Sequence, residues 1–204
     1  MLSFIFLRGR CSECKSAISW QYPSIEFITG ALFLAAFIRI GFSEYLLYYL
    51  CFIALLIVIS IYDIRHKIIP NDLVYLFSGL ALLMCLHMWM YADAEHVLLD
   101  LSAGPILALP FALLWLISQG RWIGLGDAKL ALGIGFMLGL VHGISAIVLA
   151  FWMGAAWSIV ALLLSKKRLT MKSEIPFGPF LVIGTLIIFL FGWDVIGISS
   201  LLGL

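Results

Sequence analysis

Apolar stretches long enough to cross a bilayer recur from one end of this chain to the other, separated only by short polar punctuation. A single soluble core is excluded, because it would need a charged surface around it. Composition agrees: 64% of the 204 residues are hydrophobic and 11% are charged, whereas soluble proteins average about 45–50% and about 25%. The fold class this predicts is all-α, a polytopic helix bundle embedded in a lipid bilayer. The punctuation places spans at Ser24–Ile40, Glu44–Tyr62, Asn71–Tyr91, Val97–Ser118, Asp127–Val141, Gly143–Ser165 and Pro176–Ile196, about seven in all. The fifth is short and bordered by Gly124, Gly126 and Gly143, which suits a position inside the bundle. Met1 to Leu7 is too short for a signal-peptide core and lacks a basic region before it, so the first full span is expected to start insertion.

The net charge of +1 offers no basic field for nucleic acid. Charge matters here by position. Arg8, Arg10, Lys15, Arg65, Lys67, Arg121, Lys129, Lys166, Lys167, Arg168 and Lys172 all fall on one side of the predicted spans, and only Arg39 falls on the other. Lys and Arg collect in short cytoplasmic loops, so that side is read as cytoplasmic. The opposite side holds Glu44, Asp93, Glu95 and Asp194 and receives the C-terminus. Residues 1–23 are then a cytoplasmic segment with a single Cys-x-x-Cys, Cys11 to Cys14, and residues 24–204 a transmembrane domain.

Most acidic residues have structural explanations. Glu26 and Asp72 are expected in first turns of helices, where the positive dipole end favours them, and Pro70 suits the same place. Asp100, His87 and His142 lie near outer helix ends, where a polar group stays wet. Asp63 and Asp127 differ. One ends an apolar helix and the other begins one after the flexible Gly124-Leu-Gly126 turn, so both carboxyls are expected at one depth on the cytoplasmic side. Two carboxyls brought together away from water share one proton; the ionised one can activate water while the protonated one polarises a peptide carbonyl. Helix direction alone would seat that proton on Asp63, at a helix C-terminus, and leave Asp127 as base. By spacing alone, an ordinary interfacial cap is the reading each Asp would first receive. Gly135, Gly139 and Gly143 recur along span five at a spacing that lets helices approach closely.

Two segments carry a resemblance. Asp63-Ile-Arg-His-Lys-Ile-Ile-Pro70-Asn-Asp resembles the first catalytic motif of the type IV prepilin peptidases, and Gly124-Leu-Gly-Asp127-Ala-Lys129 resembles their Gly-x-Gly-Asp-x-Lys segment. The stretch around Cys11 to Glu26 is similar to the end of that family's cytoplasmic cysteine domain, and Ile175-Pro-Phe-Gly-Pro-Phe180 to its late Pro-Phe-Gly-Pro loop. The resemblance implies a membrane aspartic endopeptidase of the bacterial inner membrane. Its substrates would be prepilins or pseudopilins, cut at the cytoplasmic boundary so that the leader is released and an apolar helix stays in the bilayer. Asp63 and Asp127 would be catalytic, and Gly124 and Gly126 would let the backbone approach a substrate strand. Lys129 and Pro70 match without an assigned step.

Fuller members carry a first Cys-x-x-Cys that completes a four-thiolate zinc site. Here Cys11 and Cys14 supply half of one, since Cys51 and Cys85 fall inside spans. Zinc is expected only if two chains pool their pairs in a homo-oligomer; proteolysis itself needs no cofactor. The lack of that first pair also puts in doubt the N-methyltransferase activity that bifunctional members carry out with S-adenosylmethionine, and no glycine-rich cofactor loop replaces it. The alternatives are a preflagellin-peptidase-like protease with the same dyad, or a small transporter with acidic residues at a cytoplasmic gate.

Overall fold

A computed structural model describes residues 4, 6–7, 9–90, 94–164, 176–195 and 197, with only the backbone of 94–98. Expectations placed on Arg8, Asp93, Lys166, Lys167, Arg168, Lys172, Ile175 and the C-terminus, on the side chain of Glu95, and on span ends at Tyr91, Ser165 and Ile196 lie outside the described residues. The named elements are α1 (Gln21–Ile40), α2 (Tyr45–His66), α3 (Asn71–Trp89), α4 (Ala94–Ser118), α5 (Leu125–Leu164) and α6 (Gly178–Phe191). Five of these are long and apolar enough to cross a membrane. The chain divides into two compact units, Met1–Ala54 and Leu55–Leu204, with the divide falling within α2.

In the first unit a small hairpin-like turn, in which Arg10 pairs antiparallel with Ala17, precedes α1. That helix starts at Gln21, so Glu26 lies beyond its first turn, and no acidic residue occupies that turn. Helix α1 ends at Gly41, with φ 70° and ψ −161°, a region essentially confined to glycine.

The second unit is organised around α5, which packs on α4, α6 and α3. Spans five and six prove to be one element with a break inside it. The break is at Gly139, with φ 73° and ψ −177°, a region essentially confined to glycine. It lies ahead of the Val141–Gly143 boundary expected from the polar punctuation, because His142 continues the second limb and backbone conformation sets the turn. The limbs fold back on each other. Eight residues of straight helix would separate Gly135 from Gly143 by roughly 12 Å, yet a Cβ added to Gly143 would come within 3.8 Å of the Gly135 Cα. Gly139 is therefore the hinge of a helical hairpin, whereas the expected stripe made it a third contact point on a straight helix. Gly135 does serve close approach: a Cβ there would meet the Ala103 carbonyl of α4 at 2.6 Å. Between apolar helices in lipid, such backbone proximity carries the association, because burying apolar surface adds little there.

Two further boundaries differ from expectation. Helix α2 runs to His66, so Asp63 lies a turn inside it. The last helix has 14 residues, about 21 Å of rise, and is shorter than the roughly 30 Å hydrocarbon layer. Asp72 is in the first turn of α3 as expected, while Pro70 stands just before it as the N-cap, with φ −68° and ψ 126°.

Candidate active site

Helix α2 is stopped by Lys67, a non-glycine residue at φ 55°, whose N–H donates to the Asp63 carbonyl at 2.7 Å. The chain then passes through the buried Ile69 and the Pro70 cap into α3. Asp63 itself is only 5% exposed. Its Oδ2 accepts the backbone N–H of Gly178 at 3.1 Å. Gly178 opens α6, where N–H groups have no partner within the helix. The carboxyl of one helix thus caps the start of another, which the Asp63 motif does not announce. Helix direction therefore cannot assign acid and base as expected, since Asp63 stands at the head of α6 as well as near the end of α2.

Asp127 is the third residue of α5 and 8% exposed. Its backbone N–H donates to the Gly124 carbonyl at 3.2 Å, closing the Gly124-Leu-Gly126 turn. A Cβ on Gly126 would lie 2.8 Å from the Ile69 Cβ, and one on Gly178 would lie 3.4 Å from the Ile69 Cδ1 and 2.5 Å from the Asp63 Oδ2. Ile69 is thus the spacer between the two glycine positions that neighbour the two carboxyls. A single isoleucine between two motifs gives no sequence signal for this role. Lys129, one turn after Leu125, reaches across to α3: its Nζ donates to Asn71 Oδ1 at 2.7 Å and lies 4.8 Å over the Tyr75 ring, and the Ser78 hydroxyl donates to the Lys129 carbonyl at 3.3 Å. These contacts tie the start of α5 to α3.

Asp63 and Asp127 share the wall of one cavity of about 540 Å³, with Lys67, Asn71, Arg121, Trp122, Gly124, Gly126, Lys129, Pro176 and Phe177 among the other lining residues. The other polar groups singled out from sequence do not join them. Asp100 is exposed and sits against the hairpin turn, its Oδ1 2.6 Å from where a Gly139 Cβ would be. His87 ends α3 and His142 opens the second limb of α5.

In the first unit Cys11 and Cys14 meet on one turn. The Cys11 N–H donates to the Ser16 carbonyl at 3.0 Å and the Lys15 N–H to the Cys11 carbonyl at 3.2 Å, with Lys15 at φ 57°. Cys14 Sγ is 3.0 Å from Ser16 Oγ, and hydrogen bonding to the Ser16 hydroxyl, then to the Ser16 backbone and to Cys11, lowers the exposed Cys14 thiol to about 7. Among the described residues no three His, Cys, Asp or Glu side chains gather closely enough to hold a metal, and Cys51 and Cys85 lie within α2 and α3. The pair fits half of a tetrahedral zinc site and does not fit a closed one.

The chain is similar to known proteins over most of its length. The model of the type IV leader peptidase family matches residues 50–159, and that of the bacterial peptidase A24 N-terminal domain matches residues 1–40. A relative from Bacillus subtilis (strain 168) is 34% identical over 200 residues, covering 96% of this chain and 76% of its own length. One from Burkholderia pseudomallei (strain 1026b) is 32% identical, with 94% and 62% covered. A third, from Legionella pneumophila, is 31% identical, with 96% and 68% covered. All three are named prepilin leader peptidase/N-methyltransferase. No solved structure gives a significant match.

Proposed function

Since the chain belongs to the type IV leader peptidase family, we propose that Asp63 and Asp127 are the reacting pair of its proteolysis. It is a multi-pass membrane endopeptidase that removes the leader peptide of type IV prepilins. The observation that carries the assignment is the placement of two buried carboxyls, from opposite ends of two helices, on one cavity wall beside a glycine turn. One carboxylate takes a proton from water as its oxygen bonds to the scissile carbonyl carbon; the protonated partner donates to the carbonyl oxygen. Collapse of the tetrahedral species breaks the C–N bond, and the proton first taken from water passes to the leaving amine. Because Asp63 Oδ2 already accepts an N–H, any proton Asp63 carries in this arrangement sits on Oδ1.

An orientation is proposed from the basic residues. Arg65, Lys67, Arg121 and Lys129 are placed at the helix ends that bear the dyad, which supports a cytoplasmic location for the active site, the N-terminal segment on that side and the C-terminus outside. Pseudopilins, which share the chemistry of the cut, are proposed as further substrates.

Zinc would need two copies of the Cys11/Cys14 turn, and no step passes through it. The N-terminal cavity of about 510 Å³ is lined by Phe6, Leu7, Arg10, Cys11 and Lys15, and no methyl transfer is assigned to it. A transporter or preflagellin peptidase finds no support, since the reported relatives all bear the prepilin name. Co-expression with a type IV prepilin tests the reading. Release of the leader, seen as a gel shift, is expected with the unaltered chain and not with Asp63→Asn or Asp127→Asn; processing by either variant would refute the dyad.

A further inference from the structure

A second concavity of the Leu55–Leu204 unit is apolar throughout. It lies between α4, which contributes Leu107, Phe111 and Leu114, and the limb of α5 after Gly139, which contributes Ile144, Ile147 and Phe151. Its volume is about 260 Å³. Any surface facing lipid is apolar, so apolarity alone identifies nothing. Position does. Phe177, which lines the catalytic cavity, has its ring centroid 4.8 Å from that of Phe151 and 6.2 Å from that of Phe111, and those two rings stack at 6.1 Å. The next residue, Gly178, is the one whose N–H is bonded to Asp63. One aromatic side chain therefore stands in the wall of the cavity and against the rings that line the groove.

We propose that this groove seats an apolar helical segment of the substrate that continues into the membrane from the scissile bond. The proposal rests on the protease reading given above. A bond held between Asp63 and Asp127 lies where membrane-spanning helices begin and end, so a membrane-anchored substrate must continue from there into hydrocarbon. Once in hydrocarbon its backbone must be helical, because no water remains to satisfy its polar groups. The apolar concavity that borders the cavity through Phe177 is this groove. At about 260 Å³ it is smaller than the roughly 300–1,000 Å³ of a pocket that encloses a whole small molecule. It suits large side chains projecting from a helix that lies along it. Phe111 stands about 10 Å of helical rise from Ser118, where α4 ends beside the catalytic loop, so the side chains it receives lie roughly two turns into that segment.

The test uses the full chain in liposomes with two substrates: a type IV prepilin carrying its apolar segment, and a water-soluble peptide ending a few residues after the cleavage site. Ile147→Trp fills the groove. It is expected to lower kcat/KM for the prepilin relative to the peptide by about tenfold, through KM. Ile147→Ala, which cannot overfill the site, should lower the same ratio by a smaller factor. Ile159→Trp, the same enlargement at a position 59% exposed on the same limb of α5, should leave the ratio where it is in the unaltered chain. A benzophenone-bearing residue at position 147, in an Asp127→Asn background that holds substrate uncut, should photocrosslink to the prepilin's apolar segment. Equal slowing of both substrates by Ile147→Trp overturns the proposal, as does crosslinking only to lipid or to a second copy of this chain. If the unaltered chain cut neither substrate, the protease reading itself would fail, and the two failures are thereby distinguished.

Discussion

Asp63 and Asp127 meet only because the ends of α2, α5 and α6 gather around Ile69, and each is almost fully buried there. Cys11 and Cys14 meet because the chain makes one tight turn between Arg10 and Ala17, and Cys14 remains exposed. A local turn brings two side chains together without deciding what they face. Long-range association of helices also sets hydration, a neighbouring N–H and a shared cavity, and those are the conditions that the proposed reacting pair requires. The dyad should therefore be sensitive to changes made far from it in sequence, and the cysteine turn only to its immediate neighbours.

The severest way to break this contrast is at the carboxyls. Asp63→Asn or Asp127→Asn should reduce leader cleavage by at least about a thousandfold, measured with purified protein, while membrane insertion persists. Next comes Gly178→Ala, which puts a methyl group 2.5 Å from the Asp63 Oδ2. Displacing that carboxyl by a fraction of an ångström to an ångström should lower kcat roughly ten- to a hundredfold, with KM little changed. Near-normal kcat would show that Asp63 does not depend on α6.

Gly139→Ala tests the hairpin that carries α5 past the site. Strain at φ 73° together with crowding against Asp100 should destabilise the protein by about 1–3 kcal/mol, read as a lower thermal midpoint in detergent. Lys129→Met removes the Asn71 hydrogen bond and the Tyr75 contact and should cost about three- to tenfold in kcat/KM, equivalent to about 1 kcal/mol. Lys129→Arg should recover part of it.

The smallest effect is expected in the cysteine turn. Cleavage by a Cys11→Ser, Cys14→Ser double variant should stay within about twofold of the unaltered chain; activity lost on chelation and restored by zinc would contradict this. The turn still has a chemistry of its own. The thiolate is the form that alkylating agents attack, so labelling of Cys14 should rise as pH passes through about 7 and level off above it. Ser16→Ala removes the largest stabilising contact and should move that midpoint upward.

Much was legible from residue order because lipid imposes a simple rule. A chain that crosses hydrocarbon must do so as helix or closed barrel, so apolar runs disclose spans, and the motif positions disclose which carboxyls stand at their ends. Where α5 turned was less legible, because polar residues mark the expected boundary near His142 while the backbone turns at Gly139, the residue that can adopt that conformation. Two features belonged to tertiary structure alone. The bond from Gly178 to Asp63 joins residues far apart in the chain, and Ile69 is an unremarkable apolar residue until Gly126 and Gly178 close on it. Sequence determined that this protein spans a membrane in helices and places two aspartates near their ends, because hydropathy and motif spacing are local properties. Tertiary structure decided that the two share one cavity and that Asp63 caps a distant helix, because helices in lipid associate through close backbone contacts that residue order does not encode pairwise.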